Sequence, residues 1–166
     1  MIAFCCANNK HSREIGCVCF WVCPALSSSG LCPTPKAYSN DPSALPVKIV
    51  PEKEWTEGIR NIVAYAKFLA EELMNVGIAV RMVDTRNNFF ACYGDRRLDF
   101  NLHTLGHRWF DNGATEDVDQ LLLHEFGHEY STDHLSSDYH EALCRLGAAM
   151  KRLALEKPGM LKQFIR

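Results

Sequence analysis

The sequence predicts an α+β domain: an N-terminal helix, a small three-stranded antiparallel sheet, a motif-bearing helix and a C-terminal helix. Three observations carry this expectation. Apolar residues recur at spacings of three and four after Pro51, three short apolar runs separated by turn-like tetrapeptides follow, and two more helical periodicities close the chain. A chain of 166 residues with 47% hydrophobic and 23% charged content is enough for one domain with a real core and leaves little room for two.

Residues 1–46 are set apart by composition. Six of the eight cysteines (Cys5, Cys6, Cys17, Cys19, Cys23, Cys32) lie in the first 32 residues, as CC, CVC and isolated positions rather than paired zinc-knuckle spacings. Ser27 to Pro46 contains SSSG, CPTP and NDPSALP, a proline- and serine-rich linker. Residues 1–46 are therefore expected to be a disordered leader and linker, and the folded domain to span 47–166. The stretch IGCVCFWVCPAL after Lys10 and Arg13 has the polarity order of a signal peptide, without a clean A-x-A site. The expected location is cytoplasmic, or secreted if that stretch is a signal peptide.

Within the domain, PEKEWTEGIRNIVAYAKFLAEELMNVG places Trp55, Ile59, Ile62, Val63, Ala66, Leu69, Ala70 and Leu73 on one helical face, with acids near its start and Gly77 past its end. Ile78 to Asp84, Phe89 to Tyr93 and Leu98 to Leu102 read as strands separated by TRNN and GDRR. Connections this short predict antiparallel hairpins, hence a three-stranded meander. HTLGHRWFDNG is a short helix or turn ended by Asn112 and Gly113. A helix follows from Glu116 to Tyr130, and a last one from about Ser136–Asp138 to Glu156, with Asp138 and Glu141 spaced as a capping box and Pro158 as its stop. Cys92 and Cys144 are expected to be buried as small apolar residues.

Charge narrows the partners. A net charge of −2, with scattered basic residues, argues against nucleic acid or an anionic membrane surface as a partner bound through a broad basic field. No window has the roughly 18 uninterrupted apolar residues of a membrane span. Oligomeric state is not legible.

The chemistry concentrates in LLLHEFGHEYSTDH, residues 121–134. His124 and His128 are four apart on a predicted helix, so both imidazoles lie on one face and reach a single ion. Glu125 leaves the helix at an adjacent angle, where its carboxylate stands beside the metal as a base for an activated water rather than as a ligand. Three neutral imidazoles with an open fourth position suit Zn²⁺, and His134 supplies the third. With seven histidines and eleven glutamates in the chain, shuffling produces the H-E-x-x-H pattern about 0.02 times per chain and the full triad about once in a thousand. His103 and His107 are also four apart but lack an intervening glutamate. Asp133, Asp138, His140 and Glu141 are alternative third ligands, and Tyr130 and Tyr139 are candidate oxyanion donors.

HEFGHEYSTDH resembles the metzincin zinc signature H-E-x-x-H-x-x-G-x-x-H, with Ser131 where the glycine stands. The resemblance covers about eleven residues, and no methionine turn accompanies it: Met150 lies in helix-like sequence and Met160 in a Pro-Gly tail. In metzincins the glycine lets the chain turn so that the third histidine returns to the zinc, and a serine there costs about 1–2 kcal/mol if the turn needs positive φ. The wider zinc-peptidase (zincin) resemblance implies a minimal zincin-like fold and a peptide or protein substrate held along an edge strand beside the active-site helix. It also implies zinc-dependent peptide hydrolysis with His124, His128 and His134 as ligands and Glu125 as general base. The stretches VDTRNNFFACYGDRRLDFN and HEFGHEYSTDHLSSDYHEALCRLG are also similar to the tail region of long phage and bacterial proteins with an ATPase-like front half. That likeness implies a stand-alone or truncated version of such a tail domain and leaves its activity open; the alternative to the peptidase is a catalytically inactive, zinc-stabilised interaction domain of a phage or mobile-element protein.

Overall fold

The computed structural model describes residues 46–165. The leader and linker expected at 1–46 lie, apart from Pro46, outside the described residues. The described residues open with β1 (Lys48–Val50) and a short 3₁₀ turn (Glu52–Glu54), then α1 (Glu57–Met74), β2 (Ala79–Asp84), β3 (Ala91–Gly94) and β4 (Arg97–Asn101). Two short helices, α2 (Leu102–Leu105) and α3 (His107–Asp111), lead to α4 (Glu116–Gly127), α5 (Ser137–Glu156) and α6 (Pro158–Lys162). The α+β class holds. No helix among the described residues is long and apolar enough to cross a membrane.

The sheet corrects the expected three-stranded antiparallel meander. It has four strands in the order β1-β2-β4-β3, and β2 pairs with β4 in parallel while β1–β2 and β3–β4 are antiparallel. Only the last hairpin follows the short-connection rule: Asp95 and Arg96 both have positive φ (50° and 56°), the conformation of a two-residue type I′ turn. The connection from β2 to β3 steps over the strand that later fills the gap, a distance of about 10 Å that six residues easily span.

The mixed order has a physical cause in β4. Leu98, Asp99, Phe100 and Asn101 are all buried, so this strand needs cover on both faces and partners on both edges. Placing β4 beside β2 sets Arg81 opposite Asp99, and the guanidinium grips the carboxylate at 2.8 and 2.6 Å. A meander would have put β3 between them and left a buried carboxylate without its cross-strand partner. At the end of β4 the Asn101 side chain takes up backbone groups of the 85–90 connection that strand pairing would otherwise satisfy.

One face of the sheet (Val80, Met82, Ala91, Tyr93, Leu98, Phe100) packs with α1, α3, α4 and α5 into the main core. The other carries a small cluster of Val83, Phe89 and Cys92 with Val47 against it. Cys92 is buried as expected, but Cys144 lies on the exposed face of α5. Helix ends follow side-chain chemistry more closely than the sequence suggested. Thr56 caps α1 by accepting from the Ile59 N–H, and Asn75, not Gly77, takes the left-handed position after it (φ 56°). Ser136, not Asp138, caps α5. Tyr65 of α1 donates to Asp119 of α4 at 2.6 Å, which ties α1 to the helix bearing the histidines. Burial, reinforced by that aspartate, raises the phenol's pKa.

Candidate metal centre

α4 has three acids in its first turn (Glu116, Asp117, Asp119), favourable to the helix dipole, and Thr115 at its N-cap. Val118, Leu121, Leu122 and Phe126 anchor it in the core. The helix ends at Gly127, three residues earlier than the periodicity predicts. His128 is its C-cap and stays right-handed (φ −73°, ψ −10°), and the chain continues through a tight turn before α5.

That turn brings the three histidines together. One ligating nitrogen from each of His124, His128 and His134 lies within 4.8 Å of the other two, and these form the one metal-competent group of three or more side chains among the described residues. The Nε2 atoms of His134 and His124 are 3.2 Å apart. The His128 Nδ1 lies 3.0 Å from the Ser131 carbonyl oxygen, so as a donor there it turns its Nε2 away from that contact. Glu125 is fully buried (0% exposed) and is not a member of the ligating group. Burial, then the neighbouring His134 and His128, pushes the His124 pKa down to about 3, which keeps its imidazole neutral.

Ser131 does not carry the strain that its place in the pattern suggested, since it is absent from the residues with positive φ. Its backbone N–H bonds Gly127, its carbonyl holds His128, and its hydroxyl lies 2.7 Å from the Ser136 hydroxyl and accepts from the Asp133 N–H. The serine therefore organises the turn by hydrogen bonds where a glycine would do so by conformational freedom.

The other candidates separate clearly. Asp133, Asp138, His140 and Glu141 stand outside the ligating group, and Asp133 instead accepts from the Leu135 N–H. His103 and His107 join no group of three, and His103 faces Asp84 at 3.5 Å. Tyr130 is exposed beneath Arg145, 4.8 Å from its ring centroid. Tyr139 is buried among the histidines, and its hydroxyl donates to the His124 carbonyl (3.1 Å) and lies 2.9 Å from His124 Nδ1. Met150 lies on α5 and Met160 on α6.

Beside the triad runs a cleft of about 410 Å³ between β3 with its turn and the stretch His128 to Thr132. Tyr93 of β3 donates to Glu129 across it at 2.7 Å, and Arg96 approaches Glu129 at 3.7 Å. Sequence reading missed Tyr93, Glu129 and Arg96, because nothing in local spacing pairs a strand residue with one 36 positions away. No family model, curated protein or solved structure matches the chain.

Proposed function

We propose that this chain is a zinc-dependent metallopeptidase of minimal zincin type, with His124, His128 and His134 as ligands and Glu125 as general base. The observation that carries the reading is the convergence of three imidazole nitrogens within 4.8 Å. Tetrahedral zinc with Zn–N bonds near 2.05 Å needs ligand nitrogens about 3.3 Å apart, and the His124 and His134 Nε2 atoms stand at 3.2 Å. Two neutral imidazoles do not face lone pair to lone pair at that distance without a proton or cation between them. The donor set thus fits zinc.

Zinc bound there supplies a Lewis acid for the scissile carbonyl and lowers the pKa of water towards about 7. The remaining work belongs to the chain. Glu125 accepts a proton from the attacking water and returns it to the leaving amine. The outer edge of β3, the edge strand beside α4, offers backbone groups to an extended peptide, and the adjoining cleft receives one of its side chains.

Full burial of Glu125 favours a second reading, a zinc-stabilised interaction module in which this carboxylate is structural. Glu125→Gln separates the two. A peptidase variant keeps stoichiometric zinc and loses about 10²- to 10⁴-fold in turnover; an interaction module keeps both zinc and its partner. Metal analysis comes first. Wild-type protein without stoichiometric zinc ends the metal reading, and undiminished zinc in His134→Ala ends the assignment of the third ligand.

A further inference from the structure

We propose that Tyr139 is the positioning residue of this metal site, fixing the tautomer and ring orientation of His124 and forming the floor on which all three histidines rest. The inference rests on the zinc reading above and names a residue that the motif does not contain.

The hydroxyl of Tyr139 has one hydrogen. It donates that hydrogen to the His124 carbonyl at 3.1 Å, so at 2.9 Å from His124 Nδ1 its oxygen accepts the ring N–H. A neutral imidazole protonated on Nδ1 leaves its Nε2 lone pair open, and that Nε2 is the atom facing His134. The Tyr139 ring meanwhile touches every ligand. Its centroid lies 5.0 Å from His128, stacked at 28°, 4.9 Å from His134, edge-on at 77°, and 5.7 Å from His124, edge-on at 76°.

The surrounding sequence is arranged to put the ring there. The Ser136 hydroxyl accepts the Tyr139 N–H and starts α5 at the right residue, and the Ser131 hydroxyl lies against Ser136. Gly127 clears the space from the other side: a Cβ on it would lie 2.7 Å from Tyr139 Cε2 and 3.1 Å from Leu143 Cδ2. Ser131, the departure from the metzincin pattern, and Gly127, an unconstrained position within it, therefore both serve the placement of one tyrosine. Removing a partner that orients a ligating histidine weakens metal binding about 10- to 100-fold in comparable sites.

The test combines a tautomer and an affinity. Long-range ¹H–¹⁵N correlation on the metal-free full chain is expected to show His124 protonated on Nδ1; protonation on Nε2 in wild type overturns the proposal without recourse to any variant. Tyr139→Phe keeps the ring and removes the hydroxyl. It is expected to lose the Nδ1–H preference of His124 and to bind zinc 10- to 100-fold more weakly in competition with a chromophoric chelator. Equal zinc affinity in wild type and Tyr139→Phe reduces the tyrosine to packing and overturns the inference while leaving the zinc reading intact. Failure of wild type itself to bind zinc overturns both.

Discussion

Asn101 has no exposed surface, and its carboxamide lies within 3.3 Å of Thr85 N and O, Asn87 O, Phe89 O, His103 N and the Thr104 hydroxyl. It holds the connection that lets β3 pass to the far side of β4. Asn101→Ala leaves several buried backbone groups without partners, and at 1–3 kcal/mol for each such group, partly relieved by relaxation, the expected loss is about 3 kcal/mol in urea unfolding. A loss below about 1 kcal/mol shows that the connection holds itself. His124 contributes differently. Its folded pKa of about 3 lies below the ordinary value of 6.5, so the unfolded chain takes up a proton that the folded chain refuses. The stability of the metal-free protein is therefore fully present above pH 6.5 and is lost as pH falls towards 3, by up to about 1.4 kcal/mol per pH unit from this group. Between pH 6.5 and 5, His124→Asn should lose about 1.6 kcal/mol less than wild type in the presence of a chelator; parallel profiles refute the assignment. His124 and His128 were legible in the sequence because helical phase is a local property, and four residues return to the same face; His134, beyond the helix, was legible only through the spacing of the motif. Asn101 was not, and Tyr139 was singled out only as an oxyanion donor, because their partners are brought to them by a strand crossing and by the start of another helix.

The same division runs through the elements. α1, α4 and α5 were readable from periodicity, because each buries one stripe whatever it packs against. Their ends were less so, since Asn75 and Ser136 compete with nearby Gly77 and Asp138 for the capping role and only geometry decides. Three of the four strands were readable, while the three-residue β1 and the strand order were not. A period of two says which face is buried, while the neighbour of β4 is decided by the pairing of Arg81 with Asp99, a contact 18 residues apart. The β3–β4 turn shows a rule fulfilled at a cost. Asp95 and Arg96 both occupy the left-handed region, where a glycine at the second position is the usual choice. Arg96→Gly relieves about 1 kcal/mol of steric penalty, and the ion pair it gives up with Glu129 is long (3.7 Å) and has a largely exposed arginine, so it is worth little. The variant should be more stable by about 0.5–1 kcal/mol in chemical denaturation. A net loss instead assigns Arg96 a larger part in holding β3 to the turn after α4.

For the molecule as a whole, the triad joins parts that fold separately in sequence: two ligands on or at the end of α4 and one in the turn before α5. An ion held by all three binds the folded chain and not the unfolded one, so its binding free energy becomes folding free energy. With free zinc at a hundred times its dissociation constant the gain is about 2.7 kcal/mol, rising to about 4.1 at a thousand times. Because the ligating rings must be neutral, this gain shrinks once pH is low enough to protonate them in the folded chain. The core does not depend on the ion: the sheet, α1 and α3 pack through Ile62, Leu69, Met82, Phe100 and Phe110, and Phe164 near the end of the described chain rests against Tyr65 and Phe68. Chelated protein is therefore expected to remain folded at neutral pH, with a lower unfolding midpoint and faster hydrogen exchange confined to residues 128–140. Zinc should restore both in a concentration-dependent way. Global unfolding on chelation contradicts this division of labour and makes the metal the principal support of the fold. An unchanged midpoint with saturating zinc leaves the triad without an ion to hold.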